Sequence, residues 1–91
     1  MRVLNKRTDE IPPDAVYVGR PSKWGNPYKI GAIIDSEKLN RDMAIVYYRG
    51  WLNRMVLDGK LNLEELRGKD LVCWCAPLPC HADVLLELAN R

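Results

Sequence analysis

All three cysteines of this chain and its single histidine fall within nine residues, in the stretch CWCAPLPCH from 73 to 81. Thiolates and imidazoles bind metals, attack electrophiles and carry protons, so any reaction chemistry is expected here. Three interpretations of this stretch stay open: a zinc site, a reactive turn, and a helix cap that uses buried cysteines.

The zinc interpretation uses all four side chains, because three thiolates and one imidazole complete a tetrahedron. Its ligands would be Cys73, Cys75, Cys80 and His81. The spacing is unusual, since structural zinc sites generally pair their cysteines as C-x2-C. Adjacent side chains such as those of Cys80 and His81 also seldom face one ion. In favour of zinc, a bound ion would supplement the small core of a 91-residue chain.

The reactive-turn interpretation depends on a strand that ends near Cys75 and a helix that begins near Cys80. The N–H groups and dipole at a helix N-terminus attract anions and lower the pKa of a thiol. Cys80 would be a nucleophile or polar anchor, with His81 as an acid–base or phosphate partner. Asp83 would accept a hydrogen bond from the backbone N–H of Cys80. In the third interpretation the cysteines only fill the core and cap the helix.

A second stretch, GRPSKWGNPY from 19 to 28, mixes cations, aromatic rings and turn residues. Arg20 and Lys23 are the predicted phosphate contacts, and Trp24 is predicted to stack on a base. Ser22 and Asn26 supply hydrogen bonds to the same ligand. The alternative is that Trp24 fills the core while proline and glycine shape a rigid surface loop.

These two stretches need a scaffold that positions them. Short apolar and β-branched runs predict strands at 3–7, 15–19, 30–34 and 71–75. Apolar residues at spacings of three and four predict a helix from about Asn40, its N-cap, to Gly59. A short helix over 63–67, capped by Asn62, and a C-terminal helix over 82–89 complete the prediction.

The alternation of strands and helices indicates one small α/β domain spanning residues 1–91. We expect a mixed sheet of three or four strands with two or three helices, and the order is also compatible with a Rossmann-like half. Both chemically dense stretches follow a strand, and α/β proteins bind ligands where strands end. We therefore expect one pocket lined by the loop 20–26 and the helix start 80–83.

Composition and charge limit the function classes. The net charge is +2, and residues 1–31 carry six basic against three acidic side chains, a bias that suits a phosphate ligand. The chain has no apolar run of membrane-spanning length, and residues 1–7 lack the apolar segment of a signal peptide. We therefore expect a cytoplasmic protein without a membrane partner. In that reducing compartment, three cysteines argue against a disulfide framework.

The segments VYVGRPSKWGNPY, YYRGWL and ELRGKDLVCWCAPLPCHADVLLEL resemble an uncharacterised domain-of-unknown-function family of bacteria and phages. The resemblance covers Val16 to Leu88 and rests on the patterns GR-x-S-KWGNP and CWC-x-P-x-x-CH-x-DVL. It implies a small intracellular, often phage-encoded protein without an assigned activity. Ala82 stands where the family more often has glycine, which bears only on a very close backbone approach at the helix start.

A weaker similarity connects the C-terminal turn to a second uncharacterised family, which has a CHR-type turn. Cys73, Cys80 and His81 have counterparts there, and Cys75 has none. This similarity implies that a four-ligand zinc site is not the shared feature.

The leading functional hypothesis is a protein that binds a nucleotide or nucleic acid, and that is an enzyme if Cys80 or His81 reacts with the ligand. The alternative is a zinc-stabilised protein-interaction module, for example a phage protein that binds a host factor. A third hypothesis is a binding protein with neither metal nor catalysis.

Overall fold

Within the described residues, three short parallel strands form the central sheet. The structure is a computed structural model that describes residues 2–76 and 78–91. The strands are β1 (Val3–Asn5), β2 (Val16–Tyr17) and β5 (Leu71–Cys73), in the spatial order β1-β5-β2. All three residues of β5 are buried, as the continuous apolar run LVC predicts for the central strand of a parallel sheet.

A two-stranded antiparallel hairpin lies outside this sheet. It pairs β3 (Ile33–Ile34) with β4 (Glu37–Lys38). Asp35 and Ser36 join the strands with φ angles of 50° and 68°, the positive values that a two-residue type I′ turn requires. Asp-Ser lacks the glycine that usually marks such a turn, so the sequence analysis did not predict β4. The strands therefore divide into a parallel sheet and a hairpin.

The long helix α1 (Arg41–Leu57) has the bounds that its sequence pattern predicts. Asn40 is the N-cap, and its side-chain oxygen accepts a 2.8 Å hydrogen bond from the backbone N–H of Met43. Gly59 follows the helix with a φ of 73°, the left-handed conformation that ends many helices. Because α1 lies between β2 and the adjacent parallel strand β5, these elements form a β-α-β connection, the unit of Rossmann-like halves.

Two shorter helices complete the chain. A 3-10 helix spans Leu63–Leu66, and the side chain of its N-cap Asn62 accepts a hydrogen bond from the Glu64 backbone N–H. The final helix α2 (His81–Ala89) follows β5 and contacts α1, the 3-10 helix, β5 and β1. The predicted α/β class is confirmed.

The core lies between the sheet and the helices. Buried side chains of α1 (Ala44, Tyr48 and Leu52) and of α2 (Ala82, Val84, Leu85 and Ala89) supply much of it. Within the described part of the chain, neither helix combines the length and the apolar composition needed to cross a bilayer.

Candidate functional site

A cleft of about 530 Å³ lies at the edge of the sheet where the parallel strands end. The chain leaving β2 and β5 lines one part of it, and the starts of α1 and α2 line another. Parallel strands place their carboxyl ends at one edge, so segments far apart in sequence meet there. Arg20 and Asn26 from the first motif and Cys80 and His81 from the second line the same cleft.

The loop after β2 is held in place by its own polar groups. The Arg20 guanidinium donates to the Asn26 carbonyl at 3.1 Å, and the Asn26 amide donates to the Ala44 carbonyl of α1 at 3.2 Å. The Tyr17 hydroxyl approaches Gly19 so closely that a Cβ at position 19 would overlap it. These contacts fix Arg20 and Asn26 on the wall of the cleft.

An exposed aromatic and basic surface forms the rim of the cleft. The Trp74 indole N–H donates to the Tyr17 hydroxyl at 2.9 Å, and that hydroxyl donates to the Arg20 carbonyl at 2.9 Å. The Lys6 ammonium lies 4.6 Å from the Tyr17 ring centre and 5.3 Å from that of Trp74. The Arg7 guanidinium lies 5.3 Å from the Trp74 ring centre. The indole is thus held in one orientation while its ring stays accessible.

Two further cations, Arg41 and Lys29, line the cleft. Arg41 is the first residue of α1, and its guanidinium donates to the Pro79 carbonyl at 3.0 Å. With Arg20, three basic side chains surround a cleft of nucleotide size.

The predicted stacking role of Trp24 is corrected by the structure. Trp24 is only 3% exposed, belongs to the core and does not line the cleft. Its carbonyl accepts a 2.7 Å hydrogen bond from the buried Tyr48 hydroxyl. A base cannot reach the ring without disrupting the core.

Three more predicted site residues lie outside the cleft lining. The Lys23 ammonium is 2.7 Å from a carboxylate oxygen of Glu65, and the Ser22 hydroxyl is buried without a hydrogen-bond partner among the described residues. Asp83 accepts a 2.9 Å hydrogen bond from the Cys80 backbone N–H, the helix-capping contact predicted for it.

The three thiols converge on the wall of the cleft. The Cys73 and Cys80 sulfurs are 3.2 Å apart, and all three sulfurs lie within 4.8 Å of one another. Strand β5 ends at Cys73, two residues earlier than predicted, so the half-buried Cys75 lies in the bend that follows. All three cysteines line the cleft.

The hydrogen bond between Cys73 and Cys80 sets their acidities in opposite directions. As the acceptor, Cys73 has a lowered pKa, and the Cys75 backbone N–H, 3.4 Å from its sulfur, also favours the thiolate. The pKa of Cys80 is raised because its thiol donates to Cys73 and because it is buried. Both effects oppose the activation of Cys80 that was expected from the helix N-terminus.

His81 is directed away from the thiols. Its Nε2–H donates to the Val18 carbonyl at 2.7 Å, and its ring makes an edge contact with Tyr48. Burial lowers the pKa of His81 and so favours the neutral imidazole over the charged form expected to activate a thiol. Among the described residues, the group whose ligand atoms lie close enough to hold a metal ion contains the three cysteines without His81, so the predicted four-ligand set is not assembled.

Sequence comparisons agree with the resemblance inferred from the motifs. The family described as Domain of unknown function (DUF4326) matches residues 1–91. The chain belongs to this family. It is also 32% identical, over 93 residues, to the "Uncharacterized 12.4 kDa protein in nrdA-td intergenic region" of Enterobacteria phage T4, covering 99% of the chain and 78% of the phage protein. No solved structure matches the chain.

The predicted site residues did not include three that line the cleft of this DUF4326 chain, namely Lys29, Arg41 and Trp74. Arg41 and Trp74 each left a signal in the sequence. Arg41 lies in the first turn of α1, where a cation is unfavourable beside the helix dipole, and this unusual placement was a signal in the sequence. Trp74 follows the buried Cys73, and alternation at the end of a strand predicts a side chain directed away from that buried position.

Proposed function

We propose that this DUF4326 protein binds a phosphorylated nucleotide in the cleft at the carboxyl edge of its parallel sheet. The observation that carries the proposal is the meeting of three cations and an exposed, oriented indole around one cleft. Ligands of α/β folds generally bind at this edge, beside a helix N-terminus.

Arg20, Lys29 and Arg41 are the proposed phosphate contacts. None of them forms an ion pair with a carboxylate within residues 2–76 and 78–91. By contrast, the Lys23 ammonium is already paired with Glu65. Cations without an acidic partner around a concave surface attract anions and concentrate them there.

Trp74 is the proposed stacking surface for the base. Its ring is 48% exposed, and its hydrogen bond to Tyr17 fixes the orientation of the indole, so little conformational freedom remains to be lost on binding. We do not extend the proposal to catalysis through Cys80 and His81. The hydrogen bond to Cys73 and burial raise the pKa of Cys80, and the His81 Nε2–H donates to the Val18 carbonyl.

Calorimetric titration of the full chain with ADP and with adenosine tests the proposal. We expect ADP to bind more tightly than adenosine, because only ADP carries the phosphates that the cations would contact. Arg20→Gln and Arg41→Gln should each weaken ADP binding by about 1.5–3 kcal/mol, the usual value of a hydrogen bond to a charged group.

Arg54→Gln is the matched control, since it removes the same charge from α1 about 20 Å along the helix from Arg41. It should leave ADP binding unchanged. Equal losses of ADP affinity in Arg20→Gln, Arg41→Gln and Arg54→Gln would show only a general charge effect. Equal affinities for ADP and adenosine would overturn the phosphate assignment.

A second candidate function is a zinc-stabilised protein-interaction module, for example a phage protein that binds a host factor. The observation that favours it is the convergence of three thiols in one small core. In this case the purified protein should contain one zinc ion per chain and should unfold when the metal is removed. Zinc-free protein that stays folded would contradict this function.

For both candidate functions we propose a cytoplasmic location, where free cysteines stay reduced.

A further inference from the structure

The spacing of the three sulfurs matches the dimensions of a metal site. Zinc–sulfur bonds are about 2.3 Å long, so two thiolates on one tetrahedral zinc lie roughly 3.8 Å apart. The Cys73 and Cys80 sulfurs are 3.2 Å apart, closer than two thiolates on zinc. All three sulfurs lie within 4.8 Å of one another, an upper limit somewhat longer than that spacing. Small rotations of the side chains would therefore place all three sulfurs at bonding distance from one ion.

We infer that Cys73, Cys75 and Cys80 bind one Zn²⁺ ion as three thiolates, with the fourth coordination position open to the cleft. Thiolates favour soft ions over magnesium, calcium or manganese. Zinc binding would release the thiol protons to solvent as the three metal–sulfur bonds form. This site goes beyond nucleotide binding, which needs no metal, and it differs from the closed site of a purely structural zinc.

The fourth coordination position is open because the neighbouring polar side chains already form other hydrogen bonds. His81 donates its Nε2–H to the Val18 carbonyl, and Asp83 accepts from the Cys80 backbone N–H. In the described part of the chain, neither residue belongs to the group whose ligand atoms converge. Because all three cysteines line the cleft, water or an atom of a bound ligand would complete the coordination.

The backbone around Cys75 is already held in the required place. The Asn5 amide donates to the Trp74 carbonyl at 3.1 Å and to the Ala76 carbonyl at 2.8 Å. The Cys75 backbone N–H points at the Cys73 sulfur from 3.4 Å. Such outer contacts orient ligands before the metal arrives and offset the negative charge of the thiolates.

Titration of the reduced full chain with Co²⁺ tests the ligand set, because thiolate-to-cobalt charge transfer gives an absorption band whose intensity grows with the number of thiolates. We expect one Co²⁺ per chain, displaced by Zn²⁺. Cys75→Ser should weaken zinc binding by more than the roughly 10- to 100-fold lost with an outer-shell partner. It is the most suitable variant, since Cys75 is the least buried of the three cysteines.

His81→Gln is the control for the ligand count and should retain the full charge-transfer band. Circular dichroism of both variants shows whether each is folded. A folded Cys75→Ser variant that binds zinc like the parent would overturn the site, as would a parent protein that binds no Co²⁺. Loss of the band in a folded His81→Gln variant would overturn the three-thiolate assignment.

Azide added to the Co²⁺ form tests the open position. We expect a shift of the visible cobalt bands as azide enters the fourth site. An unchanged spectrum would overturn the open position and would favour a closed structural site. ADP titration of metal-free, folded protein tests the proposed nucleotide site without zinc. The zinc site and the nucleotide site can therefore each fail while the other holds.

Discussion

Trp24 and Trp74 have similar neighbours and opposite environments. Each indole has an ammonium group 5.3 Å from its ring centre, supplied by Lys23 in one case and by Lys6 in the other. Trp24 is nevertheless 3% exposed and Trp74 48% exposed. A cation beside a tryptophan therefore does not distinguish the buried indole from the exposed one in this protein.

The difference has a local cause in each case. The loop that carries Trp24 folds over α1, and its carbonyl is fixed by the Tyr48 hydroxyl. Trp74 follows β5 and lines the cleft, where its indole N–H donates to the Tyr17 hydroxyl and the residue stays 48% exposed. Trp24 therefore contributes to stability, and Trp74 remains available to a ligand.

The largest expected effect is the loss of stability when the Trp24 side chain is removed. Trp24→Ala should lower the free energy of unfolding by about 3–5 kcal/mol, because it leaves a large cavity in the core. Trp74→Ala should cost less than about 1 kcal/mol, since an exposed cation–π contact contributes little. Urea unfolding followed by circular dichroism measures both. Similar losses in the two variants would contradict the assignment of core and surface roles.

The second prediction concerns ADP binding, which should depend on Trp74. Trp74→Ala should weaken ADP binding by about 1–3 kcal/mol, the value of one stacked base. Trp74→Phe should recover part of this loss, because it keeps an aromatic ring. Calorimetry on folded protein is the measurement, with Trp51→Phe, outside the cleft lining, as the control. Unchanged ADP affinity in Trp74→Ala would rule out the stacking role.

The smallest effect concerns the cation beside Trp24. Lys23→Gln should change the free energy of unfolding by less than about 1 kcal/mol, because its ion pair with Glu65 is about half exposed on both sides. It should not change ADP affinity, unlike Arg20→Gln. Urea unfolding and calorimetry measure the two quantities, and a clear loss of ADP affinity would extend the site toward the side of the loop that carries Lys23.

The sequence predicted most of the elements and left much of the site undetermined. The caps of α1 and of the 3-10 helix are local hydrogen bonds that the Asn40 and Asn62 side chains accept, and both caps were predicted correctly. The hairpin strand β4 was missed because its turn uses Asp-Ser. In the site, the sequence identified the two segments that meet in the cleft, and it left open whether Trp24 stacks on a ligand or fills the core, where the structure places it.

By itself, the sequence determined the α/β class, the buried central strand and the segment that carries the thiols, since these follow from local periodicity, capping and residue type. Tertiary structure alone decided that the Cys73 and Cys80 sulfurs lie 3.2 Å apart, that His81 turns to Val18, and that Arg41 lines the cleft. The physical reason is that hydrogen bonding, burial and charge at these positions come mainly from residues distant in the chain, whose positions local patterns do not encode.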